Sequence, residues 1–189
     1  MKINWRGYEF KWIQGGLGML TENIAGHVHS KNSYELHYII GGKGELLTAE
    51  KSYNLSEEMF FITGPNVYHE QKTQKEDPLT EVHCYLQCSG RKTNDILGNI
   101  FFEHHFYIGQ QKKFKRYFLN IAKELEQKNI GYESIVECNL EYILTEYTRS
   151  FIKEYKLPKK EDMSDLNDAR FLQIEVELMT NGDDVTLSL

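Results

Sequence analysis

The sequence predicts a mainly β protein, an antiparallel barrel or jelly roll followed by an antiparallel pair of helices. Short apolar or alternating segments, separated by Gly-rich turns, continue to about residue 88. From about residue 110 the apolar residues recur every three or four positions, the period of an amphipathic helix. Aromatic residues make up 13% of the chain, with 12 Tyr and 10 Phe, which favours strands that pair aromatic side chains.

The strand segments are short and closely spaced, as expected for a barrel. Residues 5–28 predict two or three strands interrupted by Gly15, Gly16 and Gly18. Residues 33–40 and 45–49 predict a hairpin around the Gly-rich turn at 41–44. Further strands are predicted at residues 51–55, 58–63, 67–72 and 80–88.

Strand parity divides two of these strands into opposite faces. In residues 33–40, Glu35 and His37 share one face, and the other face carries Tyr34, Leu36, Tyr38 and Ile40. In residues 80–88, one face carries Val82, Cys84, Leu86 and Cys88, and the other carries His83, Tyr85 and Gln87. The polar face of this second strand looks either into a wet pocket or at solvent, and the alternation allows both.

Two amphipathic helices are predicted at residues 110–128 and 132–156, joined by a turn that contains Gly131. Each helix carries more apolar surface than one partner would cover. A second subunit, giving a homodimer, is one expectation, and packing of both helices on the barrel is the other. His104 and His105, which precede the helices, belong to a predicted packed connector.

The last part of the sequence changes character again. Residues 157–168 are polar and predict a linker. Residues 169–180 predict another amphipathic helix, stopped by Asn181 and Gly182, and Thr186 is placed to cap a further helix close to the last residue. The pattern predicts that the chain stops at the start of a helical domain.

Composition and charge exclude several functions. The net charge of −6 argues against a nucleic-acid-binding surface on this chain, and the run Lys112, Lys113, Lys115 and Arg116 predicts a solvated helix face. The charged N-terminus is unlike a signal peptide, and no apolar run has the ~18 residues of a membrane span. Three cysteines without a Cys-x-x-Cys pair indicate neither a disulfide framework nor a zinc knuckle. We therefore expect a cytoplasmic protein.

His27, His29, Glu35 and His69 are the candidate site. His27 and His29 stand two residues apart, so on a strand they would project side by side. Three imidazoles and a carboxylate suit a divalent first-row metal ion, and they could equally hydrogen-bond a small organic ligand in the mouth of a barrel. The residues alone leave both alternatives open.

Three more residues extend the predicted ligand-binding set. His37 has the parity of Glu35 and is either a lumen residue or a satisfied wall residue. His83 and Tyr85 join the set if their face looks into the barrel. The predicted ligand-binding residues are therefore His27, His29, Glu35, His37, His69, His83 and Tyr85.

The spacing of these residues resembles the two signature motifs of the cupin superfamily. The first motif is His-x-His-x5-Glu-x5-Gly, which here is His27, His29, Glu35 and Gly41, and the second is Pro-x3-His, from Pro65 to His69. This resemblance implies a cupin-type double-stranded β-helix, and it says little about activity.

A wider resemblance covers nearly the whole chain. The phrases HVHSKNSYELHYIIGGKGEL, YNLSEEMFFITGPNVYHE and FLQIEVELMTNGDDVTLSL look like parts of the AraC family of bacterial transcription regulators. One departure lies at Glu57 and Glu58, where the family usually has a glycine. The resemblance implies a cupin sensor at residues 1–109, a dimerising helical hairpin at 110–156, a linker at 157–168 and the start of a truncated helix-turn-helix domain at 169–189.

The expected function follows from that resemblance. The chain is expected to be the effector-sensing and dimerisation region of a regulator, without enzymatic activity, which binds a small polar metabolite such as a sugar. DNA would be contacted by a C-terminal domain beyond this chain, and no cofactor is implied apart from an optional divalent metal ion. The alternative is a metal-dependent cupin enzyme, a dioxygenase or isomerase that uses His27, His29, Glu35 and His69.

Overall fold

The strands form two antiparallel sheets. The structure is a computed structural model that describes residues 1–89 and 95–152. In these residues the strands are β1 Lys2–Trp5, β2 Tyr8–Met19, β3 Ile24–His27, β4 Ser33–Gly41, β5 Gly44–Thr48, β6 Ser52–Leu55, β7 Met59–Thr63, β8 His69–Thr73, β9 Thr80–Cys88 and β10 Phe106–Gln110. One sheet has the order β1-β2-β9-β4-β7-β10, and the other has the order β3-β8-β5-β6. Their arrangement is the predicted cupin-type double-stranded β-helix.

β4 lies in the middle of the six-stranded sheet, between β9 and β7. In this register Glu35 stands opposite Tyr85 of β9 and Thr63 of β7. His37 stands opposite His83 and Phe61 in the same way. The register therefore gathers the polar residues of three strands at one place.

Three helices follow β9 in the described residues: α1 Ile96–Glu103, α2 Lys115–Gln127 and α3 Tyr132–Arg149. α2 and α3 form the predicted antiparallel hairpin, because Tyr117 stacks on Tyr142 with ring centroids 3.9 Å apart while Lys113, just before α2, pairs with Glu146. No helix among these three is long and apolar enough to cross a membrane.

The hairpin begins later than the sequence indicated. Residues 106–110 form β10, in which Gln110 pairs with Met59, and Lys112–Phe114 form a single 3-10 turn before α2. The predicted first helix from residue 110 was wrong for that stretch, because backbone pairing with the edge of β7 takes precedence over local periodicity. The predicted end of the second helix, the linker at 157–168 and the helices from residue 169 lie outside the described residues.

The main core lies between the six-stranded sheet and the helices. The predicted parity is confirmed here, because Tyr34, Leu36 and Tyr38 of β4 are buried against the helices. Phe118 of α2 stacks on Tyr38 at 5.1 Å, and Tyr147 of α3 lies against Phe101 of α1. Both hairpin helices thus bury their apolar faces on the barrel, which was one of the two expectations from the sequence.

A second apolar cluster fills one end of the space between the sheets. It consists of the buried residues Ile39, Leu46, Leu55, Phe61 and Leu79. Ile39 is four residues beyond Glu35 on β4, which is ~13 Å along an extended strand. The closed end of the barrel is therefore apolar, and the polar residues lie toward the other end.

Candidate functional site

The four candidate residues come together at the barrel mouth. One side-chain ligand atom from each of His27, His29, Glu35 and His69 lies within 4.8 Å of the others. They arrive from different places: His27 ends β3, His69 begins β8 directly opposite it, and Glu35 comes from β4 in the other sheet. His29 is not on β3, as the sequence suggested, but in the following loop, where it bridges to Pro65.

Backbone carbonyls fix the orientation of two imidazoles. Nδ1 of His27 lies 2.8 Å from the Ala25 carbonyl oxygen, and Nδ1 of His69 lies 3.0 Å from that of Val67. A carbonyl oxygen only accepts, so Nδ1 donates in both rings and Nε2 of the neutral ring keeps its lone pair. This is the arrangement in which protein imidazoles bind metal ions or accept a hydrogen bond from a ligand.

Glu35 is the negative centre of the cluster. Its Oε2 lies 3.2 Å from His29 Nε2, 3.2 Å from His37 Nε2 and 3.7 Å from His69 Nε2. Burial alone would raise the pKa of Glu35, but the facing His29, His37 and His69 hold it well below the usual carboxyl range. The carboxylate is therefore charged at neutral pH.

His37 is held between two carboxylates. Its Nε2 donates to Glu35, and its Nδ1 donates to Glu81 Oε1 at 3.0 Å. Burial by itself lowers the pKa of His37, but Glu81 and Glu35 raise it to about 10, so the ring is an imidazolium at neutral pH. Glu81 also accepts a hydrogen bond of 2.6 Å from Gln71, and the His37 ring stacks on Phe61 at 4.3 Å.

His83 and Tyr85 lie on the barrel side of β9. The ring of Tyr85 is 5.2 Å from that of His29, and His83 stacks near His37 at 6.2 Å. Burial and the neighbouring His37 lower the pKa of His83. The polar face of β9 thus looks into the barrel, while Val82 and Leu86 face the helix-side core.

All seven predicted residues therefore lie in one contiguous group, and three further members, Glu81, Gln71 and Phe61, were missed. Glu81 has the parity of His83 and Tyr85, and Gln71 has the parity of His69, so extending the alternation by one step in each strand would have found both. Phe61 was missed because nothing local shows that an aromatic residue stacks on a buried histidine.

The four clustered residues fit a divalent metal ion. Nε2 of His29 and Nε2 of His69 are buried without a hydrogen-bond partner, although both face Glu35, so their lone pairs or protons are available. In a tetrahedral site, ligand atoms ~2.0–2.2 Å from the ion lie ~3.3–3.6 Å apart, so the widest pairs of this group must move about 1 Å closer to bind one. Such an ion would polarise an oxygen of whatever ligand shares the site.

The fold and this polar mouth define a cupin-type ligand-binding barrel. The family described as AraC-like ligand binding domain matches residues 21–144, and the chain belongs to that family. No curated protein sequence matches the chain.

Solved structures resemble the chain at low sequence identity. Wild-type ToxT from Vibrio cholerae strain SCE256, bound to an unsaturated fatty acid, is 12% identical with a TM-score of 0.50, over 94% of this chain and 71% of ToxT. A cupin protein from Bacteroides fragilis is 17% identical with a TM-score of 0.35, over 48% and 74% of the two chains. A cupin-2 domain protein from Shewanella frigidimarina is 14% identical with a TM-score of 0.32, over 47% and 74%. The likeness to ToxT concerns the fold.

Proposed function

We propose that the chain is the effector-sensing part of an AraC-type transcription regulator and binds a small polar metabolite at the barrel mouth. The observation that carries this is the convergence of His27, His29, Glu35 and His69 within 4.8 Å, with two buried Nε2 atoms lacking a partner. Buried polar groups are normally hydrogen-bonded, so an unsatisfied pair at a barrel mouth calls for a ligand that satisfies it.

The chemistry of the site favours an effector that combines hydrogen-bonding groups with a planar or cyclic body. Imidazole nitrogens can bind hydroxyl or carboxylate oxygens, and Tyr85 beside His29 offers an aromatic surface. The apolar cluster at the closed end, which includes Phe61 and Leu79, occupies the space that a long hydrocarbon chain would need inside the barrel. A sugar or another compact polar metabolite fits these features better than a lipid.

Dimerisation and DNA contact complete the proposal. Leu119 of α2 and Ile135 of α3 remain 38% and 44% exposed, which gives the hairpin an apolar surface for a second copy. DNA would be bound by a C-terminal domain that begins near residue 169, in the cytoplasm. Effector binding would act on transcription only if its affinity differs between two states of the regulator.

A thermal-shift screen tests the sensing role. The purified protein is heated with individual sugars and small polar metabolites, with and without added divalent metal ions. A ligand at 100 times its Kd adds about 2.7 kcal/mol to the unfolding free energy, so a true effector gives a clear rise in Tm. The rise should disappear in His27→Ala and persist in Ile130→Ala, whose side chain is fully exposed.

A metal-dependent cupin enzyme is the second candidate, and the partner-free Nε2 atoms of His29 and His69 favour it. Metal analysis of protein purified without chelators, followed by the same analysis of His69→Ala, tests the enzyme candidate. Stoichiometric metal that is lost in the variant supports a metal site. The enzyme candidate fails if the wild-type protein retains no metal after purification and binds none when metal is added.

A further inference from the structure

Five side chains form a closed ring that connects the two sheets, and two of them, Glu35 and His69, are candidate metal ligands. His69 Nε2 lies 3.7 Å from Glu35, Glu35 contacts His37 at 3.2 Å, and His37 contacts Glu81 at 3.0 Å. Glu81 accepts from Gln71 at 2.6 Å. Gln71 is two residues from His69 on β8, so both project to the same face and the ring closes through the backbone of β8.

The ring differs from an ordinary buried ion pair in what it joins. Glu35 and His37 belong to β4 and Glu81 to β9, both in the six-stranded sheet, whereas His69 and Gln71 belong to β8 in the four-stranded sheet. Among the described strands, hydrogen bonds of the backbone hold each sheet together but do not connect β8 to β4 or β9. The distance between Glu35 and His69 therefore depends on side chains.

Burial protects most of the ring from water. His37, His69, Gln71 and Glu81 are each at most 3% exposed, so water does not compete for their hydrogen bonds. Both oxygens of Glu81 are used, one by His37 and the other by Gln71. Charge-assisted hydrogen bonds in such surroundings are short and directional.

We propose that Gln71 and Glu81 are positioning residues: through His37 they hold Glu35 at the distance from His69 at which one metal ion can be bound by both sheets. This rests on the proposed metal-binding capacity of the cluster and extends it to two residues that touch no ligand position. Residues behind a metal ligand commonly contribute 10–100-fold to metal affinity, roughly, when their hydrogen bonds orient the ligand.

The test is a Co²⁺ titration of the full chain, since Co²⁺ reports affinity by competition with a chelator and coordination geometry by its visible absorption. Glu81→Gln keeps the shape of the side chain but cannot accept from both His37 and Gln71. Gln71→Met removes only the hydrogen bond from Gln71 to Glu81 and serves if Glu81→Gln fails to fold. Each is expected to weaken Co²⁺ binding about 10–100-fold and to alter the absorption spectrum.

A matched control and a double variant separate positioning from general destabilisation. Thr148→Val removes buried hydrogen bonds to Leu144 and Thr145 in α3, away from the site, and should leave Co²⁺ affinity and spectrum unchanged. The double variant of Glu81→Gln and Gln71→Met should be no weaker than the weaker single variant, because both break one ring.

The outcomes distinguish the two levels of inference. Wild-type binding with unchanged affinity and spectrum in Glu81→Gln or Gln71→Met overturns the positioning role and leaves the metal site intact. An equal loss in Thr148→Val also overturns it, since the effect would then follow stability alone. A wild-type protein that binds no Co²⁺ overturns both the metal site and the positioning role, while the metabolite screen is judged separately.

Discussion

The six-stranded sheet has two faces, one against the helices and one lining the barrel, and they differ in how their polar groups are satisfied. On the helix side, Trp5 Nε1 donates to Thr145 and Tyr147 OH donates to the His104 carbonyl oxygen. In the described residues, four buried side-chain polar atoms have no partner, and Tyr38 OH is the one on the helix side. The other three are in His29, Thr63 and His69 at the barrel mouth.

This difference separates stability from binding within one sheet. The helix face combines burial with aromatic contacts and holds the larger of the two apolar clusters, and burial of apolar surface is the dominant favourable term in folding. The barrel face retains charges and partner-free nitrogens that cost free energy in the absence of a ligand. Such a cost persists in proteins mainly where it serves function, so mutation should affect mainly stability on the helix face and mainly binding on the barrel face.

The largest effect is expected on the helix face. Phe118→Ala removes a fully buried ring that packs on Tyr38 and Phe60, and we expect a loss of about 3–5 kcal/mol of unfolding free energy. Leu119→Ala, the next residue on α2 and 38% exposed, should cost at most about 1 kcal/mol. Urea unfolding followed by circular dichroism measures both, and equal costs would contradict a core on this side of α2.

A smaller loss is expected at the closed end of the barrel. Gly42 has φ of +82°, and an added Cβ would lie 2.1 Å from the Pro78 carbonyl oxygen, next to Leu79 of the second apolar cluster. Gly42→Ala should cost at least about 2 kcal/mol, since it combines left-handed strain with a backbone clash. Gly41→Ala, where an added Cβ meets nothing within 4 Å, should stay within about 1 kcal/mol in the same unfolding experiment.

The glycine pair also shows where a motif and a structure differ. The cupin spacing selects Gly41, but an added Cβ would clash with backbone at Gly42 and Gly44 and not at Gly41. The departure at Glu57 and Glu58 has a physical consequence too, because Glu58 adopts φ of 69° without being a glycine. The motif spacing thus predicted where the turns lie. Which residue of each turn adopts a positive φ depends on contacts that the motif does not describe.

Most of the fold was predictable because its periodicities are local. The alternation in residues 33–40 and 80–88 predicted both faces of β4 and β9, and the hairpin followed from its helical period. α1 and β10 were missed because α1 has only 8 residues and β10 only 5, too few for a period to show. The predicted domain boundaries remain predictions.

The candidate site was predictable as a set of residues but not as an arrangement. The motif spacing selected His27, His29, Glu35 and His69 as one group, and their ligand atoms do lie together in the structure. The charged His37 between Glu35 and Glu81 depends on the register of β4 with β9, and the contact of Glu81 with Gln71 depends on the distance between the sheets. Neither quantity is encoded in a local pattern.

On the barrel face we expect binding and stability to separate. His69→Leu removes a buried Nε2 that makes no hydrogen bond, its 3.7 Å contact with Glu35 and one hydrogen bond to the Val67 carbonyl oxygen, so unfolding free energy should fall by no more than about 2 kcal/mol. Co²⁺ or effector binding should be lost, because one of four converging side chains is gone. The measurements are urea unfolding and the Co²⁺ titration. A stability loss as large as that of Phe118→Ala would mean that the polar face is structural.

The smallest effect on stability is expected at the turn before β7. In that strand Phe60 points to the helix face and Phe61 points into the barrel. Glu58 lies in the left-handed region at φ of 69°, so Glu58→Gly removes strain while adding freedom to the unfolded chain. We expect a net gain of about 0.5–1 kcal/mol in the free energy of unfolding in the urea experiment, without change in Co²⁺ or effector affinity.

Glu57→Gly is the matched control. Glu57 has no positive φ and pairs with Lys115 at 2.6 Å, so this variant should be destabilised. If both variants lose stability, Glu58 is not strained. If Glu58→Gly changes Co²⁺ or effector affinity, the turn influences the binding site as well as stability.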